Sequence, residues 1–295
     1  MNLPKVSIAL PVYNGADYLR ETLQSFQKQT YSHFELVICD NVSNDLTSEI
    51  AAEFARSDAR FIYSRQTEHV DALQNFLRAY RLTDKRQKYF LWACDDNIWA
   101  PTFLEKTVGY MESHPECLLC GFYLHHFRDN GEIYYRNYVA IPWYFKKSRL
   151  LQFTFERQVG YSIYGLMRRS ALDSICLEFN CRCYIDTWIL LQIRSSGTIH
   201  VVEEDLLGFR AGGLSTTNDD PYVASVIDLI FSEDELNILF SIQGLSILEK
   251  FVLAQKMTFL ANRHNKPETV HRWWLAPAYV ASNFMNWYRK KNPIR

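Results

Sequence analysis

Neither of the familiar glycine-rich phosphate loops occurs in this chain of 295 residues. There is no G-x-G-x-x-G after the first strand-like run and no G-x-x-x-x-G-K-[ST] anywhere, so any phosphate must be held by other means. A leader of positive charge followed by an apolar stretch is missing too. The first apolar run, Val6 to Leu10, is cut short by Pro11, and the expectation is a chain that begins in the cytosol. Long apolar runs are scarce. Trp273 to Tyr288 is uncharged but contains Ser282, Asn283 and Asn286, and it falls short of the roughly 20 residues that span a bilayer. The seven cysteines, at 39, 94, 117, 120, 176, 181 and 183, are odd in number and scattered, which suits reduced, mostly buried thiols better than a disulfide framework. Cys117-x-x-Cys120 has no second pair at zinc spacing and sits in an apolar run, so it reads as core strand. No internal repeat or low-complexity tract is present.

Net charge is also small, −1, but unevenly spread. Residues 1–248 carry 23 Lys and Arg against 31 Asp and Glu (−8), and residues 249–295 carry 9 against 2 (+7). The acidic body argues against nucleic acid as a ligand, and the basic end points to an anionic surface. At 48% hydrophobic and 15% aromatic content, the chain is long and apolar enough to bury a full globular core.

What is present is an alternation. Val6, Ile8 and Leu10 mark a strand, and Tyr18, Leu19, Leu23 and Phe26 share one face of a following helix. Phe34 to Cys39 is a continuous apolar run suited to a strand buried on both faces, followed by a helical stripe at Ile50, Ala51, Phe54 and Ala55. A strand at Phe61 to Tyr63, a helix at about 70–81 and a strand at Tyr89 to Ala93 repeat the pattern. Such alternation predicts a mostly parallel sheet with right-handed crossovers, an α/β fold. Further on, the pattern gives a helix at Pro101 to Ser113, a strand at Leu118 to Phe127 and a hairpin turn at Asp129-Asn130-Gly131 into Ile133 to Tyr135. Helices are expected at about 146–157 and 187–196, with strands near 160–167, 198–203 and 206–210. After Pro221 the pattern is helical. The expected domains are a catalytic region at 1–220, with halves at about 1–100 and 101–220, and a helical C-terminal extension at 221–295.

Ligands of such sheets bind beyond the carboxyl ends of the strands. Three polar clusters fall there: Pro11-Val12-Tyr13-Asn14-Gly15, Asp40 to Asp45, and Cys94-Asp95-Asp96-Asn97. Adjacent carboxylates at Asp95 and Asp96, behind the apolar run Phe90 to Ala93, are hard oxygen donors suited to Mg²⁺ or Mn²⁺, which would bridge a diphosphate. The same acids also fit a solvated turn capping the helix near Pro101. Tyr13 suits either a base stack or the core, and Asp40 either a base N–H or a turn.

Taken in order, these three clusters resemble the large second family of inverting glycosyltransferases, of GT-A fold, over roughly residues 4–216. The runs Glu35 to Thr47 and Ala93 to Pro101 are similar to those of its bacterial spore-coat and surface-polysaccharide members. The resemblance implies a nucleotide-sugar donor, most simply UDP-linked with dTDP as the alternative, contacted by Pro11, Tyr13, Asn14, Asp40, Asn75 and Asp95. It implies a Mn²⁺ or Mg²⁺ ion on Asp96 and an acceptor that is a saccharide or a lipid-linked saccharide. Asp45 and Thr47 read as helix-start residues, and Asn75 fits an exposed helix position equally well. Ala93 stands where many relatives have Asp.

An inverting transfer needs a base for the acceptor hydroxyl. The resemblance places it at Asp186, in Cys183-Tyr184-Ile185-Asp186-Thr187-Trp188, where an N-cap is the other reading. Where relatives have a His near residue 212 this chain has Gly212, and Arg210 is the residue expected to take over diphosphate contacts. In the C-terminal extension, Trp273, Trp274, Tyr279, Phe284, Trp287 and Tyr288 lie between Arg272 and Arg289-Lys290-Lys291. They fit either packing on the catalytic region or peripheral attachment to the cytoplasmic face of an anionic membrane, in surface-polysaccharide or lipopolysaccharide synthesis. Two other readings stand beside the enzyme: an inactive carbohydrate-binding protein of the same fold, and an oxidoreductase, against which the absent glycine fingerprint counts.

Overall fold

The computed structural model describes residues 4–137, 160–175 and 185–210. The chain divides into two compact units. One comprises Met1–Trp143, Tyr161–Ile175 and Gly197–Thr216; the other comprises Tyr144–Gly160, Cys176–Ser196 and Thr217–Arg295.

The first unit is built on one nine-stranded mixed sheet. Its strands are β1 (Val6–Val12), β2 (Phe34–Asp40), β3 (Phe61–Arg65), β4 (Tyr89–Trp92), β5 (Ile98–Trp99), β6 (Cys117–Phe127), β7 (Ile133–Asn137), β8 (Leu166–Arg168) and β9 (Thr198–Arg210). They run in the order β3-β2-β1-β4-β8-β6-β9-β5, with β7 paired to β6. Pairings among β1 to β4, and between β6 and β9, are parallel; β8, β5 and β7 are added antiparallel. Every residue of β1 and β2 is buried, as a strand covered on both faces requires. Crossovers between the parallel strands are supplied by α1 (Leu19–Gln27), α2 (Thr47–Ser57) and α3 (Ala72–Leu82). Each turns a stripe inward: Leu19, Leu23 and Phe26; Ile50, Ala51 and Phe54; Leu77, Ala79 and Tyr80. Asp71 caps α3, its carboxylate accepting the Gln74 N–H at 2.9 Å.

Under the second half of the sheet, Phe103 and Leu104 of α4 (Phe103–Ser113) are fully buried. Phe103 meets Trp99 and Phe122 edge to face, with centroids 4.7 and 5.2 Å away. Cys117 and Cys120 are free, buried thiols of β6, and burial pushes the Cys117 thiol up to about 11, an inert core group.

Three expectations change. The two strands expected at 198–203 and 206–210 are one strand, β9, because Glu203 and Glu204 bulge out between the pairs Phe122–Val202 and Tyr123–Asp205. The strand expected near 160–167 is a 3₁₀ turn, Gly160–Tyr164, followed by the short β8. Gly165 turns the chain there: its N–H donates to Ser162 O at 2.9 Å, and a Cβ would stand 2.9 Å from the Cys120 carbonyl. Asn75 is buried rather than exposed. The expected helices at 146–157 and beyond Pro221, and with them the C-terminal extension, lie outside the described residues.

Within the second unit the described helix is α6 (Ile185–Ser196), with Ile189, Leu190 and Ile193 buried. A short helix of the first unit, α5 (Arg169–Asp173), follows β8. Among the described residues no helix is long and apolar enough to cross a membrane.

Candidate active site

The register of the parallel strands decides where chemistry gathers. Val6 lies beside Phe34 and Val12 beside Asp40, Asp40 lies beside Arg65, and Ala9 beside Trp92, so β1 to β4 end at one edge. The turns that follow are stitched to one another. Asn14 adopts a left-handed φ of 50°; its N–H donates to Ser43 Oγ at 2.9 Å and its Oδ1 accepts the Asn44 N–H at 3.0 Å. The Gly15 N–H donates to Thr47 Oγ1 at 2.9 Å and the Ala16 N–H to Asp45 Oδ2 at 3.1 Å. Asp45 and Thr47 are thus helix-start braces, as their sequence position suggests. Burial acts against the Asp45 charge, yet its bonds from Thr47 and Ala16 hold the carboxyl below its ordinary range.

Pro11 is buried in β1 opposite Cys39. Tyr13, just past the strand, is 39% exposed, enough to offer a ring face. Its ring lies against His69, with centroids 4.5 Å apart at 52°. His69 is fixed through Nδ1 to the Asn41 carbonyl at 3.0 Å. The Asn41 side chain clamps the same turn, donating to Val70 O at 2.7 Å and accepting the Val70 N–H at 2.9 Å. Asn75 lies beneath the strand ends: its Oδ1 accepts the Cys39 thiol at 3.3 Å, and its Nδ2 points at the carbonyls of Val12 and Cys39, each 3.5 Å away.

Asp40 is fully buried and already engaged. Oδ1 accepts the Ser43 N–H at 2.8 Å, and Oδ2 accepts the Tyr63 hydroxyl at 2.9 Å and Arg65 Nη1 at 2.8 Å. The exposed group of this cluster is Arg65, whose side chain is 40% exposed and whose Nη2 also donates to Ser43 O.

Past β4, Asp95 and Asp96 form the acidic turn. Burial pushes the Asp95 carboxyl up to about 7, helped by the charges of Asp96 and Asp45. Asp96 is also raised by burial, and Arg210 pulls it back. Gly15 lies against Asp95 so closely that only a hydrogen fits between them. Arg210, at the end of β9, is buried with its guanidinium taken up inside the protein. It pairs with Glu21 and, at 2.7 Å, with Asp129, and its Nε donates to the Asp96 carbonyl at 3.3 Å. The guanidinium of Arg210, the residue expected to contact the diphosphate, is held by protein acceptors from α1, the β6–β7 turn and the acidic turn.

The structure thus gathers Pro11, Tyr13, Asn14, Asp40, Asn75, Asp95, Asp96 and Arg210 on the carboxyl edge of one sheet. Asp186 belongs to the second unit, half-buried in the first turn of α6 rather than before it. Residues not singled out in the sequence are His69, Tyr63 and Arg65. Arg65 had a signal, since it ends the third strand as Asp40 ends the second.

Among the described residues no group of three or more His, Cys, Asp or Glu could hold a metal alone. Two adjacent half-buried carboxylates past a strand end nonetheless fit Mg²⁺ or Mn²⁺, which binds through one or two carboxylates and completes its shell with phosphate oxygens and water.

An open α/β sheet with an exposed aromatic ring, a buried aspartate and paired carboxylates at its carboxyl edge has the architecture of GT-A glycosyltransferases. The model of Glycosyl transferase family 2 matches residues 7–176, and the chain belongs to that family. It is similar to EpsH of Bacillus subtilis (strain 168), provisionally named a glycosyltransferase, with 26% identity over 214 residues. That match covers 72% of this chain and spans only 56% of EpsH, just over half its length. Among solved structures, S. aureus TarS 1-349 in complex with UDP-GlcNAc superposes with a TM-score of 0.61 at 13% identity, covering 99% of this chain and 93% of that one. The mannosyltransferase PcManGT from Pyrobaculum calidifontis, in complex with GDP-Man and Mn²⁺, gives a TM-score of 0.53 at 13% identity, over 100% and 77% of the two chains.

Proposed function

We propose that this glycosyltransferase moves a sugar from a UDP-sugar to a hydroxyl of a saccharide or lipid-linked saccharide, with inversion, in surface-polysaccharide synthesis. The observation that carries the reading is the pair of half-buried carboxylates Asp95 and Asp96 at the carboxyl edge, with Asp95 packed against Gly15, in a chain of this family. Tyr13 stacks on the base, and Asp40 acts on it through the Arg65 that it holds. The UDP-GlcNAc named with TarS supports a uridine donor, and the Mn²⁺ named with PcManGT supports a divalent ion.

Asp96, with Asp95 beside it, would hold the ion, which when bound supplies positive charge to the departing diphosphate. The chain's own residues do the rest. Asp95 meets the ribose, and Asn14 and Gly15 keep the first and second turns locked so that Tyr13 and the acids keep their spacing. Asp186 accepts the acceptor hydroxyl proton; that oxygen bonds to the anomeric carbon as the bond to the diphosphate breaks, the electron pair leaving with the nucleoside diphosphate. The catalytic region is assigned to 1–220 and the extension to 221–295. Attachment of the latter to the cytoplasmic face of an anionic membrane rests on the +7 charge of residues 249–295 and on their aromatic run.

A donor screen tests this. The full chain with Mn²⁺ or Mg²⁺ is offered UDP-, dTDP- and GDP-sugars, and nucleoside diphosphate release is measured with and without a chelator. Release from UDP-sugars that the chelator silences, and that Asp96→Ala lacks, is the expected result. A chain that binds sugars but releases no nucleotide under any condition would leave only the inactive binding protein.

A further inference from the structure

We propose that Arg210 is a positioning residue for the acidic turn, and that Glu21 and Asp129 complete that role. The inference rests on the reading of Asp95–Asp96 as the metal and donor site. Arg210 approaches this turn twice. Its main-chain N–H points at Asn97 Oδ1 at 3.4 Å, and its Nε donates to the Asp96 carbonyl at 3.3 Å. One holds the Asn97 side chain and the other the carbonyl of the Asp96–Asn97 peptide, so the direction of the Asp96 carboxylate is set from β9. Thr22 of α1 holds the next carbonyl, its hydroxyl donating to Asn97 O at 2.8 Å.

What fixes the guanidinium in turn comes from two further elements. Its carbon lies over the rings of Tyr18 and Phe127, 4.3 and 4.6 Å from their centroids. Nη2 pairs with Glu21 on α1 and Nη1 with Asp129 in the β6–β7 turn, while the Tyr18 hydroxyl donates to the other Asp129 oxygen at 3.3 Å. The Arg210 side chain is 5% exposed, whereas those of Glu21 and Asp129 are 56% and 63% exposed. An exposed ion pair normally contributes little. Here each exposed acid closes one arm of a buried fork, and the third arm ends on the acidic turn. Two surface carboxylates, on a helix and a hairpin, thereby bear on how the turn meets an ion. A lysine could not replace this arginine, because a single ammonium cannot point at three acceptors in one plane.

The test is UDP binding by titration calorimetry to the full chain, with and without Mn²⁺, for wild type, Arg210→Lys, Arg210→Gln and the double variant Glu21→Gln/Asp129→Asn. Loss of a residue that orients a metal ligand lowers metal affinity by about 10–100-fold. The manganese-dependent gain in UDP affinity is expected to fall by that order in both Arg210 variants and measurably in the double variant. Metal-free UDP affinity should stay at the wild-type level in all three. Adding the double substitution to Arg210→Gln should then change nothing further. Circular dichroism melts check folding, and if Arg210→Gln fails to fold, the double variant decides. A full manganese gain in Arg210→Lys and in the double variant overturns the proposal. Equal losses with and without metal also overturn it, since they would make Arg210 a direct ligand or a prop of the fold. A wild type that binds UDP with no manganese gain overturns the metal reading itself and this inference with it.

Discussion

A Cβ placed on Gly15 would stand 2.3 Å from Asp95 Oδ2 and 2.7 Å from Val12 Cγ2. The first turn and the acidic turn therefore meet at a point where no side chain fits, and the glycine is held there: its carbonyl accepts the N–H groups of Tyr18 and Leu19 as α1 begins. Gly15→Ala is expected to push the Asp95 carboxylate aside. Overpacking of this kind costs about 1–3 kcal/mol. The variant should melt a few degrees lower and bind UDP with Mn²⁺ about tenfold more weakly, measured by melting curves and calorimetry. Wild-type binding would mean that Asp95 swings away without consequence.

His69 should show itself as a binding residue. Its ring backs Tyr13 at 4.5 Å and is pinned by the Asn41 carbonyl. An aromatic pair contributes about 0.5–1.5 kcal/mol, so His69→Ala should raise the donor KM roughly two- to tenfold with kcat little changed. Steady-state kinetics decide; a drop in kcat at constant KM would place His69 elsewhere in the reaction.

Stability should fall on mild acidification. His126 packs against Tyr161 and Phe209, with ring centroids 5.5 and 5.2 Å away. Burial lowers its pKa below the ordinary 6.5, and the neighbouring His125 lowers it further. Below 6.5 the unfolded chain takes up a proton that the folded chain still refuses. The stabilisation present above that value is thus lost as pH falls through the lowered pKa. His126→Phe should flatten the dependence of melting temperature on pH between 7 and 5. An unchanged slope would point to other groups.

Asp186 is expected to act in chemistry alone. Asp186→Asn should cut turnover by about two to four orders of magnitude while UDP affinity holds. Ordinary turnover would reduce the residue to a part of its helix.

Much of this was readable in the residues themselves. The runs Val6 to Leu10 and Phe34 to Cys39 can be buried on both faces only as inner strands, and the stripe Leu19, Leu23, Phe26 fits only a helix; all lie where expected. The place of Asp95 and Asp96 just past an inner strand is legible because an apolar run, Phe90 to Ala93, leads into them. What escaped is non-local. Arg210 meets acids 189 and 81 positions away, and no spacing rule reaches that far. Of the two readings of Asn75, a donor-side residue or a surface amide, helical periodicity cannot remove the second because it registers apolar residues only, while its partners are on β1 and β2. Glu203-Glu204-Asp205 looks like a break between strands, and a bulge carries the strand through it.

The sheet also implies an order of assembly. Among β1, β2 and β3, partners are near in sequence, as in Val6 beside Phe34 and Leu36 beside Phe61, and each pair is joined by a crossover helix. In its second half, β6 must find β9 across a far longer stretch: His125 and Asp205 are 80 positions apart. Non-local pairings of this kind form slowly, since the entropy of closing the chain is lost before any bond repays it. β1 to β3 are therefore expected to condense first, with β4, whose Tyr89 must reach back to Val6, and then the acidic turn and Arg210 joining later. Refolding would then recover its helical signal early and its manganese-dependent nucleotide binding late.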